Sequence, residues 1–312
     1  MYMEKRIIVS GANGFIGSHL ITELVETNTP ATALVKSSSN TEILKKNKFY
    51  NIIKTDNYLD PSLIRQLSIS KPEYFVHCAW NDSNTINSKK ILEAIELAKA
   101  VNCKGFITIG TYEEYGKLQK DISEDIVCDP KTEFGNVKYA LYLLSKSICK
   151  SLNIKHCHVR LSIPYSMRDH KDFFFTKIIK SISKGEQPTN INNIYSAKDY
   201  IHASDISRAI IGLAENKAEG IFNLASGDSI STKILLNMIY EKFGKKLTYK
   251  EKIGDNEKIK EFSLCTKKVY SKIAWKPSIS IWDGLSLLVH ENKFNSKPSM
   301  EEFADRMRKL CR

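Results

Sequence analysis

Short apolar runs alternate with longer amphipathic stretches over the first half of the chain. Arg6–Ser10 (RIIVS) predicts a strand that runs into a glycine turn, with a helix over Ser18–Thr27. Ala31–Val35 and Tyr50–Lys54 predict the second and third strands, and Pro61–Ser68 a helix. Tyr74–Cys78 predicts a fourth strand and Lys89–Val101 a long helix with one apolar side. Gly105–Ile109, Phe134–Leu152 and Lys155–Leu161 then predict strand, long helix and strand. This order predicts an α/β fold, a doubly wound parallel sheet with right-handed crossovers. Beyond residue 162 the pattern loosens. Gly185, Pro188, Asn192 and Asn193 mark a loop, then come short strands and helices, a lysine-rich stretch and a final helix.

Composition narrows the class. With 312 residues and 42% hydrophobic content the chain fills a full core. No run of about 18 apolar residues occurs, so no membrane span is predicted. The opening MYMEKRIIVSGANG enters a strand without the pattern of a secretory signal, which predicts a cytoplasmic protein. The seven cysteines include no CxxC pair and read as buried thiols. His156-Cys157-His158 sits in a predicted strand, so Cys157 points away from both histidines and no metal site is expected. The net charge of +12 is mostly lysine spread along the chain, with no basic tract and no interleaved aromatics. It reads as a solvated surface, not a nucleic-acid face.

The glycine turn carries chemistry. Gly11-Ala-Asn13-Gly14-Phe15-Ile16-Gly17 follows the first strand and opens the first helix. In a strand–turn–helix of this kind the first glycine makes the turn, the second admits a pyrophosphate, and the third lets helix and strand pack closely. The helix N-terminus adds free N–H groups for phosphate. The second strand ends in Val35-Lys36-Ser-Ser-Ser-Asn40 with no carboxylate for a ribose 2′-hydroxyl. Lys36 and the serines are donors suited to a 2′-phosphate, which favours NADP(H), with NAD(H) as the other choice. We therefore expect a dinucleotide-binding Rossmann domain over 1–161 with part of 196–225. A smaller C-terminal substrate-binding lobe is expected over 162–195 and 226–312.

Further segments fall in order behind that turn. Val76-His77-Cys78-Ala79-Trp80 resembles the strand-four segment of extended short-chain dehydrogenase/reductases, the NAD-dependent epimerase/dehydratase family. Gly110-Thr111-Tyr112-Glu113-Glu114-Tyr115-Gly116 resembles their strand-five segment, and Pro130 to Lys138 their P…YxxxK helix. Lys198-Asp199-Tyr200-Ile201-His202, Phe222 to Gly227 and Trp275-Lys-Pro277 resemble the later family segments. The wording is similar to the nucleotide-sugar 4-ketoreductase and epimerase branch, which serves surface-polysaccharide biosynthesis. The resemblance implies cofactor contacts at Gly11, Asn13, Gly14, Phe15, Ile16, Gly17, Lys36, Asp56, Ala79, Lys138 and Pro164. It implies substrate contacts at Trp80 and Lys198, catalytic roles for Thr111 and Lys138, and a nucleotide-linked sugar as substrate. It also implies a homodimer through a four-helix bundle of the two long helices.

One departure bears on mechanism. Where the family carries its proton-donating tyrosine, this chain has Phe134. Three readings stand: an engineered inactive variant, an enzyme with another acid such as Tyr112, Glu113 or a water, and a dinucleotide-binding scaffold that has lost catalysis. Tyr139 and Tyr142 are poor substitutes, the first turned about 140° from Phe134 and the second about two turns away. Sugar dehydratases carry an Asp-Glu pair where this chain has Tyr112-Glu113, which disfavours dehydration. The loop between Ala79 and the Lys89 helix is short and predicts an open substrate entrance, with Asn84 as a candidate structural asparagine there.

Overall fold

The computed structural model describes residues 6–44, 46–166, 168, 174–186, 194–246 and 260–293. Pro188, Asn192, Asn193 and most of the lysine-rich stretch lie outside the described residues. The chain runs β1 (Arg6–Ser10), α1 (Phe15–Glu26), β2 (Ala31–Val35), β3 (Tyr50–Lys54), α2 (Pro61–Ser70), β4 (Pro72–His77), α3 (Asn84–Ala100) and β5 (Gly105–Thr111). A short 3₁₀ turn (Tyr112–Tyr115) leads to α4 (Glu133–Ser151), β6 (Lys155–Leu161), β7 (Ile163–Tyr165), α5 (Phe174–Ser183), β8 (Ala197–Lys198) and β9 (Tyr200–His202). Then come α6 (Ala203–Glu215), β10 (Gly220–Leu224), β11 (Ile230–Ser231), α7 (Thr232–Lys242), α8 (Lys267–Ile273) and α9 (Ile281–Lys293).

Seven strands form one parallel sheet in the order β10-β6-β5-β4-β1-β2-β3. The apolar strand β2 is buried at all five positions, as parallel strands covered on both faces require. One core, with Val9, Leu20, Val76, Val159 and Ile210, lies between the sheet and helices α1 and α6. The other, with Ile8, Phe75, Ile95 and Phe106, lies under α2, α3 and α4. A third apolar cluster joins Tyr165 and Tyr200 to α5, α7 and α9. Strand order reverses between β1 and β4, which opens a crevice at the carboxyl ends of the strands.

Several element bounds differ from the sequence expectation. Helix α1 begins at Phe15, not Ser18, because Gly14 is its N-cap and the turn residues already wind the first helical turn. Strand β5 runs on to Thr111. Strand β4 covers Pro72–His77 and leaves Cys78 outside. Helix α3 begins at Asn84, where the Ser83 hydroxyl accepts from the Ile86 N–H, so only residues 78–83 bridge β4 and α3.

Candidate active site

A cleft of about 690 Å³ lies at the carboxyl ends of β1, β4, β5 and β6. Its wall takes in Gly11, Asn13, Gly14, Phe15, Ile16, Lys36, Asp56, Ala79, Trp80, Thr111, Phe134, Lys138 and Pro164. Of the residues singled out in the sequence, Gly17, Lys198, Tyr112 and Glu113 are not on it. Gly17 packs beneath the turn, where an added Cβ would lie 2.2 Å from Gly11 O. Lys198 is exposed on β8, paired with Ile230. The Tyr112 ring stacks on Phe262 with centroids 4.4 Å apart, and burial pushes its hydroxyl up to about 12. The Glu113 carboxylate accepts from the Thr132 hydroxyl, the N-cap of α4.

The glycine turn is shaped for a phosphate. Gly11 has φ +66°, and a Cβ there would lie 2.6 Å from the Ala79 backbone. Gly14 has φ −76°, its N–H donates to Gly11 O at 2.9 Å, and a Cβ there would meet only Gly11 O, at 3.1 Å. The space above Gly14 therefore belongs to the cleft, a cradle that a side chain would fill. That geometry fits a dinucleotide pyrophosphate at the N-terminus of α1. At the far end, the Ser37 N–H donates to Asp56 Oδ1 at 3.3 Å, fixing the turn that carries Lys36.

The chemical end of the cleft is built on β5 and α4. Lys138 Nζ donates to Ile109 O at 2.9 Å and lies 3.7 Å from the centroid of the Trp80 ring and 5.6 Å from that of Phe134. Trp80 and Phe134 meet edge to face at 5.4 Å and are 37% and 41% exposed, so both rings face the cleft. Burial lowers the Lys138 ammonium to about 8, with Glu114 and Cys78 pulling the other way. Behind Lys138 a small recess of about 20 Å³ is lined by His77, Asn87, Thr108, Tyr142 and His158, room for one water.

Glu114 anchors this arrangement and was missed in the sequence, where it reads as a loop carboxylate. It is fully buried. Its Oε1 accepts the Thr111 N–H at 2.9 Å, and its Oε2 accepts from Arg160 Nε at 2.8 Å and faces His158 Nε2 at 3.0 Å. Burial alone would raise the Glu114 carboxyl, but His158 and Arg160 outweigh it and hold it at about 2. His156 and His158 both reach Thr108 Oγ1, at 3.0 and 2.7 Å, while Cys157 faces the opposite core, as strand alternation predicts. The structural asparagine of the β4–α3 loop is Asn87, not Asn84. Asn87 accepts the Asn81 N–H at 2.7 Å and donates to Asn81 O at 2.8 Å, while Asn84 donates to Glu133. Ser162, just past β6, also lines the cleft, and its place at a strand's carboxyl end is the signal that would have found it.

Comparison with known proteins gives the family. The model of the NAD dependent epimerase/dehydratase family matches residues 7–225. The chain belongs to that family. A curated relative, dTDP-4-dehydro-6-deoxyglucose reductase of Escherichia coli, is 28% identical over 92% of this chain and 97% of its own length. Among solved structures, UDP-glucuronic acid 4-epimerase from Bacillus cereus in complex with UDP-glucuronic acid and NAD superposes with a TM-score of 0.80 at 21% identity, covering 93% of this chain and 100% of that one. A tyrosine-to-phenylalanine mutant of the same epimerase, in complex with a fluorinated UDP-sugar and NAD, superposes at 0.78 with 22% identity and covers the same shares. Among the described residues no helix is long and apolar enough to cross a membrane.

Proposed function

We propose that the chain is a nucleotide-sugar 4-ketoreductase, reducing a 4-keto group of a nucleotide-linked deoxyhexose for surface-polysaccharide synthesis, with NADP(H) preferred. The observation that carries this reading is the convergence of the glycine cradle with Thr111, Phe134 and Lys138 in one cleft. The 28% identical relative is a reductase of a dTDP-linked 4-keto sugar, and it matches over nearly its full length. Gly11, Gly14 and the N-terminus of α1 hold the pyrophosphate. Lys36 faces the 2′-phosphate, with Asp56 on the adjoining wall. The net charge of +12 favours approach of a diphosphate ligand.

Bound NADPH supplies the hydride. Thr111 Oγ1 donates to the sugar O4 and holds the ketone against the nicotinamide. Lys138 binds the nicotinamide ribose and sets positive charge beside the oxygen where negative charge develops. The Trp80 and Phe134 rings form an apolar wall that keeps water from the reacting carbon. The solved tyrosine-to-phenylalanine epimerase mutant holds both sugar nucleotide and NAD, which supports ligand binding by a cleft with phenylalanine at position 134.

The test is Phe134→Tyr, assayed by NADPH absorbance against a panel of nucleotide-linked 4-keto sugars. General acid help from the new hydroxyl should raise kcat by ~10²-fold or more, about 3 kcal/mol of barrier. A variant slower than an already fast parent would contradict this role for position 134. Epimerisation is the second reading, favoured by the epimerase neighbours at TM-scores up to 0.80. An epimerase would interconvert two sugars without consuming added NADPH.

A further inference from the structure

Reduction of a ketone needs a hydride at carbon and a proton at oxygen, and the Phe134 ring has no proton to give. We infer that Lys138 is the general acid of this chain, its ammonium giving a proton to the sugar O4, directly or across one water. The inference rests on the ketoreductase reading above. The step balances. Hydride leaves the dihydronicotinamide of NADPH, which becomes NADP⁺, and forms the C4–H bond. The C4–O4 double bond becomes single, a Lys138 N–H bond breaks and an O4–H bond forms. The neutral amine then takes a proton from solvent through the cleft.

Elimination and position point to the same group. Tyr112 is stacked on Phe262 and Glu113 is engaged by Thr132, and neither lines the cleft. Tyr142 is buried against His158, with ring centroids 4.5 Å apart. Cys78 lines the cleft, but burial pushes its thiol up to about 12. Asp56 is engaged by the Ser37 N–H at the far end of the cleft, and Asp82 lies in the loop between β4 and α3. Lys36, Tyr58 and Lys90 stand with Asp56 and β3, where the adenosine end would lie: Lys90 Nζ donates to Asp56 O and lies over the Tyr58 ring. Lys138 remains. Its Nζ is held by Ile109 O, two residues before Thr111 on β5, so it faces the same end of the cleft as the Thr111 hydroxyl.

The groups around Nζ explain how a lysine serves as an acid near neutral pH. From β4 and the residue after it come His77 and Cys78, from the 3₁₀ turn Glu114, from β6 His158, and from α4 itself Tyr142. Burial dominates and weakens the hold on the proton, bringing Lys138 to about 8. The Trp80 face at 3.7 Å keeps the ammonium in place without accepting a proton from it. Asn87, which also lines the small recess, has its amide spent on Asn81.

A double-variant cycle tests this, using the parent, Lys138→Arg, Phe134→Tyr and the double variant, each checked for melting and NADPH binding. Arg keeps the charge and gives up no proton at accessible pH. Lys138→Met, in the same cycle, serves if the guanidinium disrupts the fold. Lys138→Arg should cost the parent ~10²-fold in kcat, and at least ~10-fold more than it costs in the Phe134→Tyr background, where the tyrosine is the acid. A readout independent of turnover is the ¹³Cε resonance of Lys138, identified by its loss in Lys138→Arg. Its titration midpoint, near 8, should coincide with the alkaline fall of kcat/KM in the parent, measured with NADPH present. Equal losses in both backgrounds, or a midpoint apart from that fall, overturns the inference. Activity in the Phe134→Tyr proteins with none in the parent overturns it and leaves the ketoreductase reading intact. Activity in none of the proteins overturns both.

Discussion

Position 134 holds a ring where the family resemblance calls for a ring with a hydroxyl, and its 41% exposure into the cleft makes it a working surface. The three turn glycines divide by the same kind of local reasoning. Gly14→Val should abolish NADPH binding with a smaller change in melting temperature than Gly17→Ala, because the backbone there suits any residue and a Cβ would crowd only Gly11 O, at 3.1 Å, besides taking the ligand's space. Gly17→Ala should instead destabilise the fold, since its Cβ would strike Gly11 O. In the same fluorescence titration the parent should bind NADPH more tightly than NADH, and Lys36→Ala should narrow the gap. A Gly14→Val protein with unchanged NADPH affinity would contradict the cradle. These residues were legible in the sequence because spacing alone brings them together: glycines three apart after a strand, or Phe134 and Lys138 four apart on one helix face. Lys198 shows the limit. Its place on β8 depends on pairing with Ile230 in β11 and leaves it exposed and off the cleft.

The elements around the site are tied through Glu114, and local pattern gives no sign of it. Only the β5–β6 register, which sets Thr108 opposite His158 and Gly110 opposite Arg160, brings both side chains to a carboxylate in the following turn. Its folded pKa, about 2, lies below the unfolded value of ~4.3, so its contribution to stability is present above about pH 4.3 and is lost as pH falls toward 2. Glu114→Gln leaves Arg160 buried without its counter-charge and should cost about 3–5 kcal/mol at pH 7. That corresponds to a melting temperature lower by roughly 10 °C. The gap between variant and parent should shrink in melts below pH 4. A pH-independent gap would contradict the ion-pair account. Strands β1 to β6 were legible to within a few residues because each carries a short run with apolar residues at buried positions, while β10 fell in the irregular second half and was not read. The starts of α1 and α3 were not legible, because capping by Gly14 and Ser83 wins over the apolar periodicity.

For the whole molecule, the alternation of strands and helices was enough to give the doubly wound sheet, while the chain beyond residue 162 gave only an irregular pattern. The core there draws Tyr165, α5, α7 and α9 from distant parts of the chain. The outer face of α4 carries exposed Leu143 and Leu144. We expect α3 and α4 to pair with a second copy as a four-helix bundle. Light scattering at micromolar concentration should give a dimer, and Leu143→Glu with Leu144→Glu a monomer. A monomeric parent would contradict that. The central claim is hydride delivery to C4 of a nucleotide-linked sugar in the cleft lined by Thr111, Phe134 and Lys138. It is tested most directly with NADPH deuterated at the transferring position, the Phe134→Tyr protein and a nucleotide-linked 4-keto sugar, with mass spectrometry of the product. The account predicts a 4-hydroxy sugar with deuterium bound at C4. Unlabelled sugar, or a mixture of C4 epimers formed without loss of the cofactor label, would contradict it.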